Sequence, residues 1–433
     1  MQYGHFDDAA REYVVDRPDT PRPWSNYLGS TEYGAVITNH AGGFSFYRSA
    51  ANHRILRLRG NAVPLDQPGR YFYLRDQENG DYWSAAWQPV GKPLDQYQST
   101  CRHGTGYTII TSKYAGIETE STYFVPLGQT FEYWRLRVSN TSGKRRRLSV
   151  FTYAEFCNVG HLINDLTNLQ YSLFVSKAQY RDGMLALASH PHDAFDPSDL
   201  RSAQRYWMKF AGAKVVGFET HRERFIGNYG TYAAPEAVIK GSLSNFELAG
   251  ENMVGCQQID LDLAPGESRE LFVLLGLGTP ESHGKATSEE YANSERCNRE
   301  LERVRQSWHQ KLQAFRTHTP DPEFDSMVNV WNAYNSLITY AWSRSASLIY
   351  NGERDGLGYR DTVQDFLGVT PLLGEDMRER LELMLTGQVE CGGAMPLVRP
   401  FDHQPGQEQT PPAETFRSDD AQWLFHAVPA YVA

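Results

Sequence analysis

The sequence predicts a large β domain followed by helices, and three observations carry this reading. Apolar residues alternate with period two through much of the first 278 positions, turns rich in Gly and Pro punctuate those runs, and after Pro280 the apolar spacing changes to three and four. A chain of 433 residues is also longer than one ordinary core requires, so more than one domain is expected.

The β elements justify themselves in order. From Phe131, residues Trp134, Leu136 and Val138 fall on one side of an extended chain, and Tyr133, Arg135 and Arg137 on the other. The turn sequence Asn140–Gly143 follows, and then Leu148, Val150 and Thr152 alternate with Phe151 and Tyr153. Period two on both sides of a turn predicts a hairpin. The pattern returns at Ile259, Leu261 and Leu263, turns at Pro265-Gly266, and continues into the apolar strand Leu271–Leu275. Many such strands predict a large sandwich.

The helical part follows from a different period. Residues 288–315 contain no Gly or Pro, and Leu301, Val304, Trp308, Leu312 and Phe315 share one helix face, with Ser288 as the start signal. Thr319-Pro320-Asp321-Pro322 breaks this helix. A second is predicted with Phe324, Met327, Val328, Trp331, Tyr334, Leu337, Ile338 and Ala341 on one side. Further helices are expected near Asp376–Thr386 and Asp419–Tyr431, separated by a loop from Arg399 to Thr415. The domains so read are residues 1–279 (β), 280–319 (helical linker) and 320–433 (the start of a helical domain that looks cut short).

Composition excludes several functions. The net charge of −10 opposes binding to a phosphate backbone, and the basic run Lys144–Arg147 reads as a solvated hairpin end. The 25 Tyr, 21 Phe and 9 Trp fit a β-sheet core as well as sugar stacking. The five cysteines are scattered, which predicts free thiols and neither a disulfide framework nor a zinc site. The N-terminus has no signal-peptide core, and the longest apolar run, Leu271–Leu277, is too short to span a bilayer, so a cytoplasmic protein is expected.

The densest chemistry lies in Asn351–Asp365. Gly356 and Gly358 predict a flexible loop. Arg354 and Arg360 offer guanidinium forks suited to phosphate or to paired hydroxyls, and Asp361 can accept from two sugar hydroxyls. If Asp361 opens a helix, Asp365 lies on the same face. The alternative is equally open at this level: Asp361 as an N-cap and Arg360 as a surface ion-pair partner. Asp419-Asp420 before Trp423 reads either as a site pair or as acidic residues at a helix start. His190-Pro191-His192-Asp193 reads as a polar loop, since no further metal ligands stand at useful spacing. No Walker loop, dinucleotide fingerprint or nucleophile elbow occurs.

Several blocks resemble glycoside hydrolase family 94, the cellobiose phosphorylase family. They are Met1–Val14, Trp24–Gly29, Ala41–Tyr47, Arg102-His103-Gly104, Ala154–Cys157, Ser343–Ser347, Gly358–Thr362 with Gln364-Asp365, and Ser418-Asp419-Asp420 with Trp423-Leu424. The resemblance implies an N-terminal β-supersandwich, a helical linker and an (α/α)6 barrel. It implies that Arg360 and Asp361 hold the glycone sugar, that Arg354 helps bind phosphate, and that Tyr47 reaches the partner subunit's site in a homodimer. The implied reaction is inverting phosphorolysis of a β-1,4-linked disaccharide, with phosphate as nucleophile and no metal or organic cofactor.

The resemblance also places the general acid in a Trp-Asn-Asp motif that these 433 residues do not contain. No residue of the chain is therefore assigned to acid catalysis, and the chain by itself is expected to be inactive. The alternative is a non-catalytic carbohydrate-binding remnant of such an enzyme. For the acceptor, Gly387–Pro396 with Arg399-Pro400-Phe401, and Ala427–Tyr431, resemble the cellobionic acid branch. The expected order is cellobionic acid, cellobiose, then chitobiose, with Arg399 a candidate partner for a gluconate carboxylate.

Overall fold

The computed structural model describes residues 2–60, 63–158, 160–167, 173–189, 205–344, 346–348, 352 and 354–433. His190, His192 and Asp193 lie outside the described residues, as do Asn351 and Glu353. Contacts divide the chain into two compact units, Met1–Tyr47 with Asn52–Val304, and Arg48–Ala51 with Arg305–Ala433. The division falls inside the helix Ser294–Lys311, within the span read as a linker.

The first unit is built from antiparallel sheets of 11, five and four strands. The hairpin expected around Asn140–Gly143 does not form. Phe131–Asn140 pairs with Ile117–Phe124 and Ser268–Leu277 in the 11-stranded sheet, whereas Arg146–Glu155 pairs with Met253–Leu263 and Tyr71–Asp76 in the five-stranded one. The turn therefore carries the chain from sheet to sheet. The Pro265-Gly266 turn does the same between Met253–Leu263 and Ser268–Leu277. Period two marks a strand with two different faces; it cannot say which neighbour the strand will pair with.

These two crossings lie side by side, and Asn140 ties them. Its amide nitrogen donates to Lys144 O at 2.7 Å, Leu263 O at 3.0 Å and Ala264 O at 3.1 Å, and its backbone exchanges bonds with Gly266 and Glu267. The basic run beside it is only partly solvated. Arg145 is exposed on Asp262, but Arg146 is buried, with Nη2 2.6 Å from Asp76 Oδ2.

The five-stranded sheet is buried on both faces. Phe72, Leu74, Val150 and Ala154 enter the main core, while Tyr71, Tyr73, Phe151 and Tyr153 pack with Phe225, Ile226, Tyr232 and Val238 in a second cluster. Two short helices, Arg222–Ile226 and Glu236–Lys240, supply that cover. Much of the aromatic content is thus structural. Among the buried charge pairs, Arg70 and Glu132 are both fully buried and bonded to each other. Arg70 also donates to Val36 O and Phe44 O, and Glu132 accepts from Trp134 and Tyr33, so the polar atoms that make this pair tolerable are satisfied.

The helices depart from the periodicity in two places. The segment expected to start at Ser288 is two helices, Lys285–Tyr291 and Ser294–Lys311, because Asn293 Oδ1 accepts from Arg296 N at 2.8 Å and caps a new start. The next runs Pro322–Ser326, then a π-helical stretch Met327–Asn332, then Ala333–Trp342. The wider π turn rotates the apolar stripe, leaving Phe324 51% exposed while Tyr334, Leu337, Ile338, Tyr340 and Trp342 are buried. The helix Tyr359–Leu373 follows, then Arg378–Leu385 and Leu424–Val432. No described helix is long and apolar enough to cross a membrane. All five cysteines are free, and only Cys391 is exposed.

Candidate active site: an arginine–aspartate cluster at a helix start

The second unit gathers Ser343, Arg344, Arg354, Arg360, Asp361 and Asp365 around the first turns of Tyr359–Leu373. Two glycines fix the approach. The segment read as flexible is instead a strand: Leu357 pairs with Val398 and Gly358 with Leu397. At Gly356 φ is +95°, and a Cβ would meet Val398 O at 2.8 Å. At Gly358 a Cβ would meet Arg354 Nη1 at 2.9 Å and Asp361 Oδ2 at 3.2 Å. Glycine is thus needed where the ion pair passes over the backbone.

Gly358, with extended backbone, is the N-cap, and Asp361 is the third residue inside the helix. Asp361 is therefore not a cap, although its charge still favours the helix start. Arg354 Nη1 donates to Asp361 Oδ2 at 2.6 Å and more weakly to Ser343 O at 3.4 Å. Burial pushes the Asp361 carboxyl up. The Arg354 hydrogen bond and the charges of Arg344, Arg354 and Arg360 outweigh it and hold the group below its ordinary value.

Arg360 points its Nη1 to Asp419, 3.3 Å from each oxygen, and Trp423 Nε1 reaches Asp419 Oδ2 at 3.3 Å. One turn along, Asp365 is gripped by Arg344, with bonds of 2.6 and 3.0 Å from its two terminal nitrogens. Burial raises the Asp365 carboxyl above its usual value despite that fork. In the sequence Arg344 stands out only as a member of the block Ser343–Ser347. It follows the C-cap Ser343, and both residues have positive φ, +44° and +63°. Two successive left-handed residues turn the chain back toward the next helix, and nothing in the local sequence announces this. A buried bond, Ser343 Oγ to Thr362 Oγ1 at 2.9 Å, holds the turn to that helix.

The remaining sequence candidates are placed as follows. Arg399 pairs through Nε with Asp355 Oδ2 at 3.1 Å and is 58% exposed. Tyr47 belongs to the first unit, is 4% exposed, and its hydroxyl donates to Glu32 at 3.2 Å. Among the described residues no group of three or more His, Cys, Asp or Glu side chains converges as a metal site.

Guanidinium forks and carboxylates gathered at one helix start are groups suited to phosphate and to polyols, because forks match phosphate oxygens and carboxylates match vicinal hydroxyls. Comparison with known proteins narrows this. Residues 11–294 match the glycosyl hydrolase 94 supersandwich domain, and residues 307–433 match the catalytic domain of the glycosyl hydrolase 94 superfamily. The chain belongs to the glycosyl hydrolase 94 family, with a β-supersandwich followed by helices of the catalytic domain.

Three relatives illustrate the match. An N,N'-diacetylchitobiose phosphorylase of Vibrio proteolyticus is 35% identical over 450 residues, covering 100% of this chain and 55% of its own length. A solabiose phosphorylase of Paenibacillus borealis is 26% identical, covering 99% of this chain and 52% of its own length. A cellobionic acid phosphorylase of Neurospora crassa is 24% identical, covering 76% of this chain and 39% of its own length. The chain spans about half the length of the first two of these relatives, and less of the third.

Proposed function

We propose that this chain supplies the glycone- and phosphate-holding part of an inverting glycoside phosphorylase. The observation that carries the reading is the Arg354–Asp361 pair packed against Gly358, with Arg360 on the same helix turn as Asp361. In this reading Asp361 and Arg360 hold sugar hydroxyls, and Arg354 turns part of its fork to phosphate. Among the described residues Arg354 uses only Nη1, which leaves its other nitrogens for an anion in this reading.

The chemistry follows from the nucleophile. Hydrolysis with inversion needs a base to activate water, whereas phosphate is already anionic and needs positive charge to hold it in line with the anomeric carbon. The reaction would pass the glycosyl group to phosphate and release the second sugar. It calls for an acid on the leaving oxygen, a role assigned to no residue of this chain, and for no metal or organic cofactor. Tyr47 is not carried into the reading, because its ring is buried and its hydroxyl engaged. Assembly as a homodimer belongs to the same reading, and light scattering tests it.

For the substrate, we rank N,N'-diacetylchitobiose ahead of cellobionic acid and cellobiose. This reorders the expectation from the sequence, and its support is the higher identity to the chitobiose-acting relative, 35% against 24% for the cellobionic acid one. The test is to incubate the complete gene product with each disaccharide and phosphate and to identify the products. A sugar 1-phosphate formed only with phosphate supports the proposal. Free sugars released without phosphate would make it a hydrolase, and binding without turnover would leave the carbohydrate-binding alternative.

A further inference from the structure

The two helices on either side of Arg344 enclose a cleft that the proposed phosphorolysis does not use. Its volume is about 290 Å³. At about 30 Å³ for each water in the liquid, roughly ten waters would fill it, which is room for one sugar ring. The continuous helical stretch Met327–Trp342 supplies Asn332, Asn335, Ser336 and Thr339, spaced by three and four and so on one face. Tyr359–Leu373 supplies Gln364, Asp365 and Gly368. Asp365 stands one helical turn along from Asp361, so this wall of the cleft continues the face that carries the arginine–aspartate cluster.

Two features of the lining have no explanation in packing. Among the described residues, no hydrogen bond engages the amides of Asn332, Asn335 and Gln364 or the hydroxyls of Ser336 and Thr339. Five neutral donor and acceptor groups are thus left facing one hollow. The second feature is Gly368. It lies inside a helix, where glycine is the poorest residue after proline, and no left-handed backbone requires it. No heavy atom of the described residues lies within 4 Å of the place its Cβ would take, so no neighbour requires it either. A bare backbone at that point keeps the cleft open.

The chemistry of the lining selects its occupant. Amides and hydroxyls both give and accept hydrogen bonds, as the hydroxyls of a polyol do. Asp365 is the one charged lining group, and Arg344 already holds both its oxygens, at 2.6 and 3.0 Å. No cationic side chain lines the cleft, which disfavours phosphate. A packed protein segment would call for an apolar seat, and this one is polar. No aromatic ring lines it, so recognition rests on hydrogen bonds.

We propose that the cleft between Asn332–Thr339 and Gln364–Gly368 is a second binding position for an uncharged polyol such as a single sugar ring, separate from the cluster of Arg354, Arg360 and Asp361. It goes beyond the phosphorolysis reading, since it needs neither phosphate nor turnover.

The test titrates the complete gene product with glucose and with N-acetylglucosamine, followed by ligand-observed NMR. Asp361→Ala serves as the background, because it removes most binding at the arginine cluster and leaves the weaker remainder to be measured. That remainder should be saturable. Gly368→Leu, which puts a side chain into the cleft, should weaken it at least tenfold. The melting temperature should stay the same or rise, because leucine favours a helix more than glycine does. Asn335→Ala should weaken the remainder about fivefold, the worth of one hydrogen bond. Glucose 1-phosphate should compete for it more weakly than glucose. The proposal is overturned if nothing saturable survives Asp361→Ala, or if both cleft variants bind as that background does. Should Gly368→Leu lower the melting temperature, Asn335→Ala decides alone. A wild type that forms no sugar 1-phosphate while the remainder persists would overturn the phosphorylase reading and leave the cleft standing.

Discussion

Arg354 Nη1 lies 2.6 Å from Asp361 Oδ2, and both atoms crowd the space where a side chain at Gly358 would begin. Two residues to which the family resemblance gives separate ligands, phosphate and sugar, thus bond to each other. On the proposed reading a ligand would share or part that bond, and the strand pairing of Leu357–Gly358 with Leu397–Val398 keeps the backbone beneath it in place.

Gly358→Ala tests this packing. The added methyl meets the far end of the Arg354 side chain, which can move, so the cost in stability is expected to be about 1 kcal/mol or less. Activity should fall at least tenfold, because the guanidinium is pushed off Asp361. Thermal melts and phosphorolysis rates on the complete gene product separate the two effects; unchanged activity would show that the pair has no part in binding.

The pair itself is about one-quarter to one-third exposed, at 32% for Arg354 and 22% for Asp361. Its contribution to stability is therefore expected to be small, about 1 kcal/mol or less in a double-mutant cycle. Asp361→Ala should nevertheless abolish most sugar binding, and Arg354→Ala should raise the phosphate requirement. Turnover within a few-fold of wild type for both would remove them from the site.

Arg344→Lys probes the fork on Asp365. A lysine keeps the charge but loses the two parallel bonds of 2.6 and 3.0 Å. We expect kcat/KM to fall by about 1–2 kcal/mol of transition-state stabilisation, roughly five- to thirtyfold, through a misplaced Asp365. Steady-state kinetics indistinguishable from wild type would confine this fork to structure.

In the sandwich, Asn140→Ala leaves three carbonyls without the donor that joins the two crossings. The expected loss is about 2–3 kcal/mol, measured as a lower urea midpoint. A loss below about 0.5 kcal/mol would mean that the turns hold each other without it.

His103 gives a pH dependence. It is buried; Asn26 donates to Thr108 Oγ1, which leaves that hydroxyl to donate to His103 Nδ1, while Nε2 donates to Trp24 O. Those bonds describe a neutral ring, and burial lowers its value from 6.5 to about 4. A depressed value means that stability is fully present above the unfolded value, near 6.5, and is lost as pH falls through about 4. The expected loss over that window is about 3 kcal/mol at most. Urea titrations at pH 7 and pH 4.5 should show His103→Gln losing less between the two than wild type; an equal loss would place the acid sensitivity elsewhere.

The sequence alone determined the order of β domain and helices, because period two and period 3.6 are written locally in Trp134, Leu136 and Val138, or in Leu301, Val304 and Trp308. It also pointed to Arg354, Arg360 and Asp361, since such a density of forks, carboxylates and glycines is itself a chemical signal. It could not tell a hairpin from a crossing at Asn140, because strand choice depends on neighbours far along the chain, such as Ser268–Leu277. Nor could it show the π turn that rotates Phe324 outward, or the left-handed Ser343 and Arg344 that bring a third arginine onto Asp365. Those were decided only by tertiary structure, where packing against distant segments selects among conformations that are locally close in energy.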